Sequence, residues 1–151
     1  HEMGLPGRCG AGAVIHSVYP VERGAYENAG QSSADIKRQL KQLGVDSTVI
    51  RRVAIASYEA EMNLIIHSLG GAIELDIDGS WIVLQVYDRG PGIPDVELAK
   101  QEGYSTAGED ARGLGFGAGM GLPNMMRNTD DFLIASQVGV GTLMVMKFHL
   151  Q

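Results

Sequence analysis

Five glycines alternate with other residues in the run Gly113-Leu-Gly-Phe-Gly-Ala-Gly-Met-Gly121. Neither a helix interior nor a strand interior tolerates such a run, because every glycine forfeits backbone entropy and brings no side chain to pack. Seven of the 21 glycines in this 151-residue chain fall between residues 103 and 121, where the ordinary share is ~7% of residues. A flexible linker is one reading. Against it, the run lacks serine, holds Phe116 and Met120, and is followed by sequence patterned like folded structure. The better reading is a loop that closes against a ligand.

The rest of the chain can build a core around that loop. Hydrophobic residues make up 44% and charged residues 20%, which argues against disorder and for one domain. No run of about 18 apolar residues is present, so no membrane span is expected. The net charge of −6 speaks against a nucleic-acid partner. Cys9 is the single cysteine. It excludes an internal disulfide and a cysteine-only metal cage, and points to a reducing, cytoplasmic setting. Residues 1–12 (HEMGLPGRCGAG) read as a tag remnant or loose lead-in, and 13–151 as a single domain.

Periodicity predicts a first strand over Ala13–Val21, with Pro20 favouring a sheet edge. Ser32 or Ser33 can cap a helix that runs to about Leu43 and stops at Gly44, with Ile36, Leu40 and Leu43 on one face. Asp46 or Ser47 then opens a helix of roughly 23 residues, about 34 Å long, which ends near Ser68 or Leu69 before Gly70-Gly71. It is apolar on more than one side, as a central buried helix must be. Ala72–Ile77 and Trp81–Tyr87 form a hairpin around Asp78-Gly79. The stretch Asp88–Asp95 (DRGPGIPD) is a loop, Val96–Glu102 a short helix, and Leu122–Asn128 another, with Pro123 in its first turn. Phe132–Gln137 and Thr142–Phe148 close the chain as a second hairpin. The expected fold class is α+β: a two-layer sandwich of a mixed, mostly antiparallel sheet with helices on one face.

Four features carry chemistry. Glu59, Asn63 and His67 fall at i, i+4 and i+8 on the long helix, so they form one stripe. It is either a solvated polar face or a ligand-facing row. Asp88-Arg-Gly90-Pro-Gly92 follows a strand: either a plain turn, or an acceptor for an exocyclic amine with backbone close by. The backbone N–H groups of 113–121 can cradle phosphate as they lead into a helix. Gly139-x-Gly141-Thr142 is the fourth, and alone it would be an ordinary hairpin turn.

In this order and at these distances, the four features resemble the GHKL ATP-binding fold of gyrase, the heat-shock chaperone, histidine kinases and MutL. The resemblance covers about residues 13–150. Within it, Glu59-Ala-Glu-Met-Asn63, His67 and the GLGFGAGMGLPNMMRNTDDFLIAS…GVGT tail are similar to the bacterial anti-sigma-factor serine/threonine kinases, closest to the switch-kinase branch of stressosome signalling.

The resemblance implies ATP and Mg²⁺ as cofactors and phosphate transfer to a serine or threonine of a STAS-domain antagonist protein. Further implied partners are a sigma factor, a PP2C-type phosphatase or a second copy of the chain. Glu59 would take the proton of the attacking hydroxyl and Asn63 would hold Mg²⁺, with His67 near the phosphates or a helix end. Asp88 would accept from the adenine amino group, seconded by Thr142 through its hydroxyl or a water. Gly90, Gly92 and Ile93 would border the base. Gly115, Phe116, Gly117, Ala118, Gly119, Met120 and Gly121 would wrap the phosphates, with Ser105 and Thr106 in a lid. No lysine lies in the glycine run; Arg112 is the nearest cation, placed either at phosphate or in solvent. The same pocket would also serve a nucleotide-dependent binding module or a simple ATPase. Lys37, Arg38, Lys41, Arg51 and Arg52 form a basic surface, either a solvated helix face or a docking site for an acidic partner. The seven methionines, Met125 and Met126 among them, read as core filler.

Overall fold

The computed structural model of the chain describes residues 15–101 and 121–150. Five strands form one sheet: β1 (Ile15–Val21), β2 (Gly71–Ile77), β3 (Trp81–Arg89), β4 (Asp131–Gln137) and β5 (Gly141–His149). Their spatial order is β1-β2-β3-β5-β4. All four pairings are antiparallel, so the expected mixed sheet shows no parallel pair among the described strands. Among the described residues four helices accompany it: α1 (Gln31–Gln42), α2 (Ser47–His67), α3 (Val96–Ala99) and α4 (Gly121–Arg127). A single 3₁₀ turn over Tyr26–Asn28 was not foreseen. The α+β sandwich is as expected, with β1 at an edge.

The core lies between the sheet and α2. Ile73, Leu75, Ile82, Leu84, Met146 and Phe148 from the strands, with Val53, Ala56, Ala60, Leu64 and Ile65 from α2, are all fully or almost fully buried. Successive strand residues alternate between faces, so the opposite face carries His16, Val18, Glu74 and Tyr87. Helix α2 starts as expected, with the Asp46 carboxylate accepting from Thr48 N at 3.0 Å. Asp78 shapes the first hairpin by accepting from Ser80 N and Trp81 N, both at 2.7 Å.

Four expectations need correction. The N-cap of α1 is Gly30, with φ at +92°, and not Ser32 or Ser33, which lie inside the first turn. Ile36 and Leu40 are buried as expected, but Leu43 is 48% exposed. Strand β3 runs on to Arg89, so Asp88 belongs to a strand and not to a loop. Of the paired methionines, Met125 is buried and Met126 is 38% exposed. Among the described residues no helix is long and apolar enough to cross a membrane.

Candidate functional site

Helix α2 places Glu59 and Asn63 one turn apart, and both face the start of α4. A Cβ on Gly121 would lie 3.4 Å from Asn63 Oδ1 and 3.7 Å from Glu59 Oε1. Glycine at this position leaves room beside the carboxamide and the carboxylate. Asn124, one turn into α4, donates from Nδ2 to Glu59 Oε2 at 3.0 Å. That bond fixes the carboxylate across 65 residues of sequence, and no local pattern announced it.

At the other end of α2 the chain turns back into the sheet. Leu69 N donates to Arg89 O at 2.7 Å and Arg89 N to Gly70 O at 3.1 Å. A Cβ on Gly90 would meet Ser68 Cα at 3.2 Å and Asp88 Oδ1 at 3.5 Å. Asp88 is therefore seated beside the end of α2. Its carboxylate accepts from Thr142 N at 3.1 Å. Burial raises its pKa above the ordinary carboxylate value, opposed by that N–H.

Two glycines let the backbones close around Asp88. A Cβ on Gly71 would overlap the Tyr87 carbonyl oxygen, and one on Gly141 the Asp88 carbonyl oxygen. Thr142 thus meets the carboxylate with its backbone N–H, and its hydroxyl lies 2.8 Å from Ser136 Oγ.

Ser136 ties this corner together and was missed from sequence. It accepts from Ile93 N at 2.7 Å and donates to Gly141 O at 3.2 Å. The hairpin register that opposes Ser136 and Thr142 was the signal that could have found it. Gly92, at φ +77°, passes so close to Gln137 that a Cβ would lie 2.5 Å from its carbonyl oxygen. Gly139 N donates to Pro91 O at 2.9 Å and Gly90 N to Val140 O at 3.0 Å. The 88–93 segment and the last hairpin are thus one unit.

His67 is the last residue of α2, and burial lowers its pKa, favouring the neutral imidazole. Ser105, Thr106, Arg112 and Gly115, Phe116, Gly117, Ala118, Gly119 and Met120 lie outside the described residues. Glu61 was overlooked. It is 2% exposed and accepts from Gly30 N, Ser32 N and Ser33 N at 3.2, 3.2 and 3.1 Å, anchoring the start of α1 to α2. Burial raises its pKa, and the three N–H groups oppose the rise. On the basic surface, Lys37, Arg38 and Lys41 are exposed. Arg38 pairs with Asp35 at 2.7 Å and Arg52 with Asp130 at 3.1 Å.

The two clusters have a defined spacing. Glu59 and His67, the last residue of α2, are eight residues apart, about 12 Å at helical rise. A carboxylate acceptor sits at one end, and a carboxylate and a carboxamide beside a helix start at the other.

Known proteins resemble this chain in sequence and in fold. The chain is 31% identical over 106 residues to the serine/threonine-protein kinase RsbT of Bacillus subtilis (strain 168), covering 68% of this chain and 74% of that protein. It is 35% identical over 113 residues to an anti-sigma F factor of Thermoanaerobacter sp. (strain X514), covering 70% and 76%. A crystal structure of the RsbU and RsbW domains of a Mycobacterium tuberculosis protein superimposes with a TM-score of 0.58 at 18% identity. It matches 91% of this chain, which spans 32% of that one, and the likeness is one of fold. Residues 48–151 match the family described as histidine kinase-, DNA gyrase B- and HSP90-like ATPases, and the chain belongs to that family.

Proposed function

We propose that this protein is an ATP-dependent serine/threonine protein kinase of the anti-sigma-factor type, acting on a STAS-domain antagonist protein. The observation that carries the reading is the convergence of Glu59 and Asn63 on Gly121, with Asp88 held at the far end of the same helix. The relatives named as a serine/threonine-protein kinase and as anti-sigma F factors support it.

The residues fit the nucleotide and its metal. Asp88, acceptor-only when ionised, suits the adenine amino group and would reject the guanine carbonyl. Gly90, Gly92 and Ile93 border the base. Asn63 would hold Mg²⁺ through its amide oxygen, beside the space that Gly121 leaves. Mg²⁺ takes few protein ligands and the rest from water and phosphate. When bound, it neutralises charge on the phosphate oxygens. Glu59, fixed by Asn124, takes the proton of the partner's serine or threonine hydroxyl as that oxygen attacks the γ-phosphorus; ADP leaves. The 113–121 backbone would enclose the phosphates, and a neutral His67 adds no charge at the helix end.

Glu59→Gln tests the assignment. Glutamine can keep accepting from Asn124 but cannot take a proton. ATP affinity should stay within about twofold, while transfer to the partner falls by about 10²–10⁴-fold. The readout is labelled phosphate on the STAS protein. Equal transfer by the variant would overturn the role of Glu59. The relatives named anti-sigma F factor favour a second activity, binding of a sigma factor, and the same variant should retain it.

A further inference from the structure

A histidine and two carboxylates meet on the sheet face turned away from α2. His16 on β1 stands opposite Asp76 on β2, and Glu74 lies two residues along on the same face. His16 Nδ1 is 2.7 Å from Asp76 Oδ1, and His16 Nε2 is 4.0 Å from Glu74 Oε1. One ligand atom from each residue can be chosen so that all three lie within 4.8 Å of one another. We propose that His16, Glu74 and Asp76 form a binding site for a divalent transition-metal ion of the zinc class.

Three observations support this. The donor set is one imidazole nitrogen and two carboxylate oxygens, which suits zinc, cobalt or nickel; magnesium prefers oxygen ligands alone. The ligands stand on two paired strands with a fixed register, so little ordering remains when an ion arrives. Tyr87 donates from its hydroxyl to Glu74 Oε2 at 2.7 Å. An outer hydrogen bond of this kind orients a metal-binding carboxylate, and here it leaves Oε1 on the His16 side. Three protein ligands leave positions open to water or to a partner's side chain. The site is separate from the Glu59–Asn63 end of α2, which lies on the other side of the sheet. It does not depend on the kinase reading.

The test uses the whole chain, stripped of metal by a chelator and free of nucleotide. It is titrated with Co²⁺ and then challenged with Zn²⁺. The expected result is one saturating equivalent with visible d–d absorption, displaced by Zn²⁺, and a higher thermal transition in the loaded protein. His16→Gln, at an exposed position, and Glu74→Gln, at a half-buried one, should fold as judged by far-UV circular dichroism and lose saturable binding. Tyr87→Phe should weaken binding by about tenfold. Asn63→Ala should bind Co²⁺ as the parent does. Absence of saturation in the parent chain overturns the proposal. So does binding that survives in His16→Gln, or binding that is lost in Asn63→Ala.

Discussion

Replacing Asp88 with asparagine separates a binding role from a structural one. Asp88 Oδ1 accepts from Thr142 N at 3.1 Å, and an asparagine carbonyl can keep that bond. The second carboxylate oxygen becomes an NH₂ group, a donor where the adenine amino group needs an acceptor. Loss of a hydrogen bond to a charged acceptor costs about 1.5–3 kcal/mol. At 1.4 kcal/mol per decade, ATP should bind about 10- to 150-fold more weakly. GTP, which offers a carbonyl at that position, should gain relative to ATP. The fold should not suffer, because burial already disfavours the charged form of Asp88 and the amide is neutral. Calorimetric titration with ATP and GTP, beside a thermal melt, reads both quantities. An intact variant with unchanged ATP affinity would refute the placement of adenine at Asp88. A variant that melts far below the parent would show that the carboxylate serves the fold.

ATP affinity in the parent should fall as the medium is acidified. Burial moves the protonation of Asp88 to higher pH than that of an ordinary aspartate. Binding requires the ionised form, so affinity rises with pH through that pKa and then levels, and Asp88→Asn should lack this step. Glu61→Ala would strip the acceptor from three N–H groups at the start of α1. At about 1–3 kcal/mol each, partly offset by removing a buried carboxylate, a loss of about 2–4 kcal/mol is expected; a melt should fall by roughly 5–15 °C. An unchanged melt would show that those bonds contribute nothing net. Gly141→Ala forces a methyl into the Asp88 carbonyl oxygen and should cost at least about 2 kcal/mol, measured by urea unfolding. Wild-type stability in that variant would mean the two strands can part there at no cost.

Elements with a strong local period were legible before any coordinates. The apolar positions of α2, the Asp46 cap and the Asp78-Gly79 turn each follow from near neighbours in sequence, and each is where it was expected. What failed was of longer range. Gly90 and Gly92 suggested that the chain leaves the sheet at Asp88. The pairing of Asp88 with both Gly71 and Thr142 extends β3 by two residues instead. Gly71 and Gly141 looked like stops and turns, yet both remove a Cβ where two backbones nearly touch. A glycine needed for positive φ and one needed for clearance look alike in a sequence. Only the neighbouring strand tells them apart.

Glu59 and Glu61 show the same limit within one helix. They are two residues apart, with a single alanine between them. At about 100° per residue their side chains project some 200° apart. One points to α4, where Asn124 holds it beside Asn63. The other points to α1, where it is 2% exposed and bound by three backbone N–H groups. The spacing Glu59, Asn63, His67 selects the first as chemistry, but it leaves the second as one more polar residue on a helix that is apolar on several sides. The fold makes the second intelligible. A charged residue at that depth is costly unless fully bonded, and the first turn of α1, capped by a glycine with no side-chain acceptor, lacks the partner that Glu61 supplies. The same helix therefore holds the carboxylate proposed for proton transfer on one side and one that anchors α1 on the other. Exchanging their environments would remove both functions: a base needs an opening to the substrate hydroxyl, and an anchor needs to be closed to water.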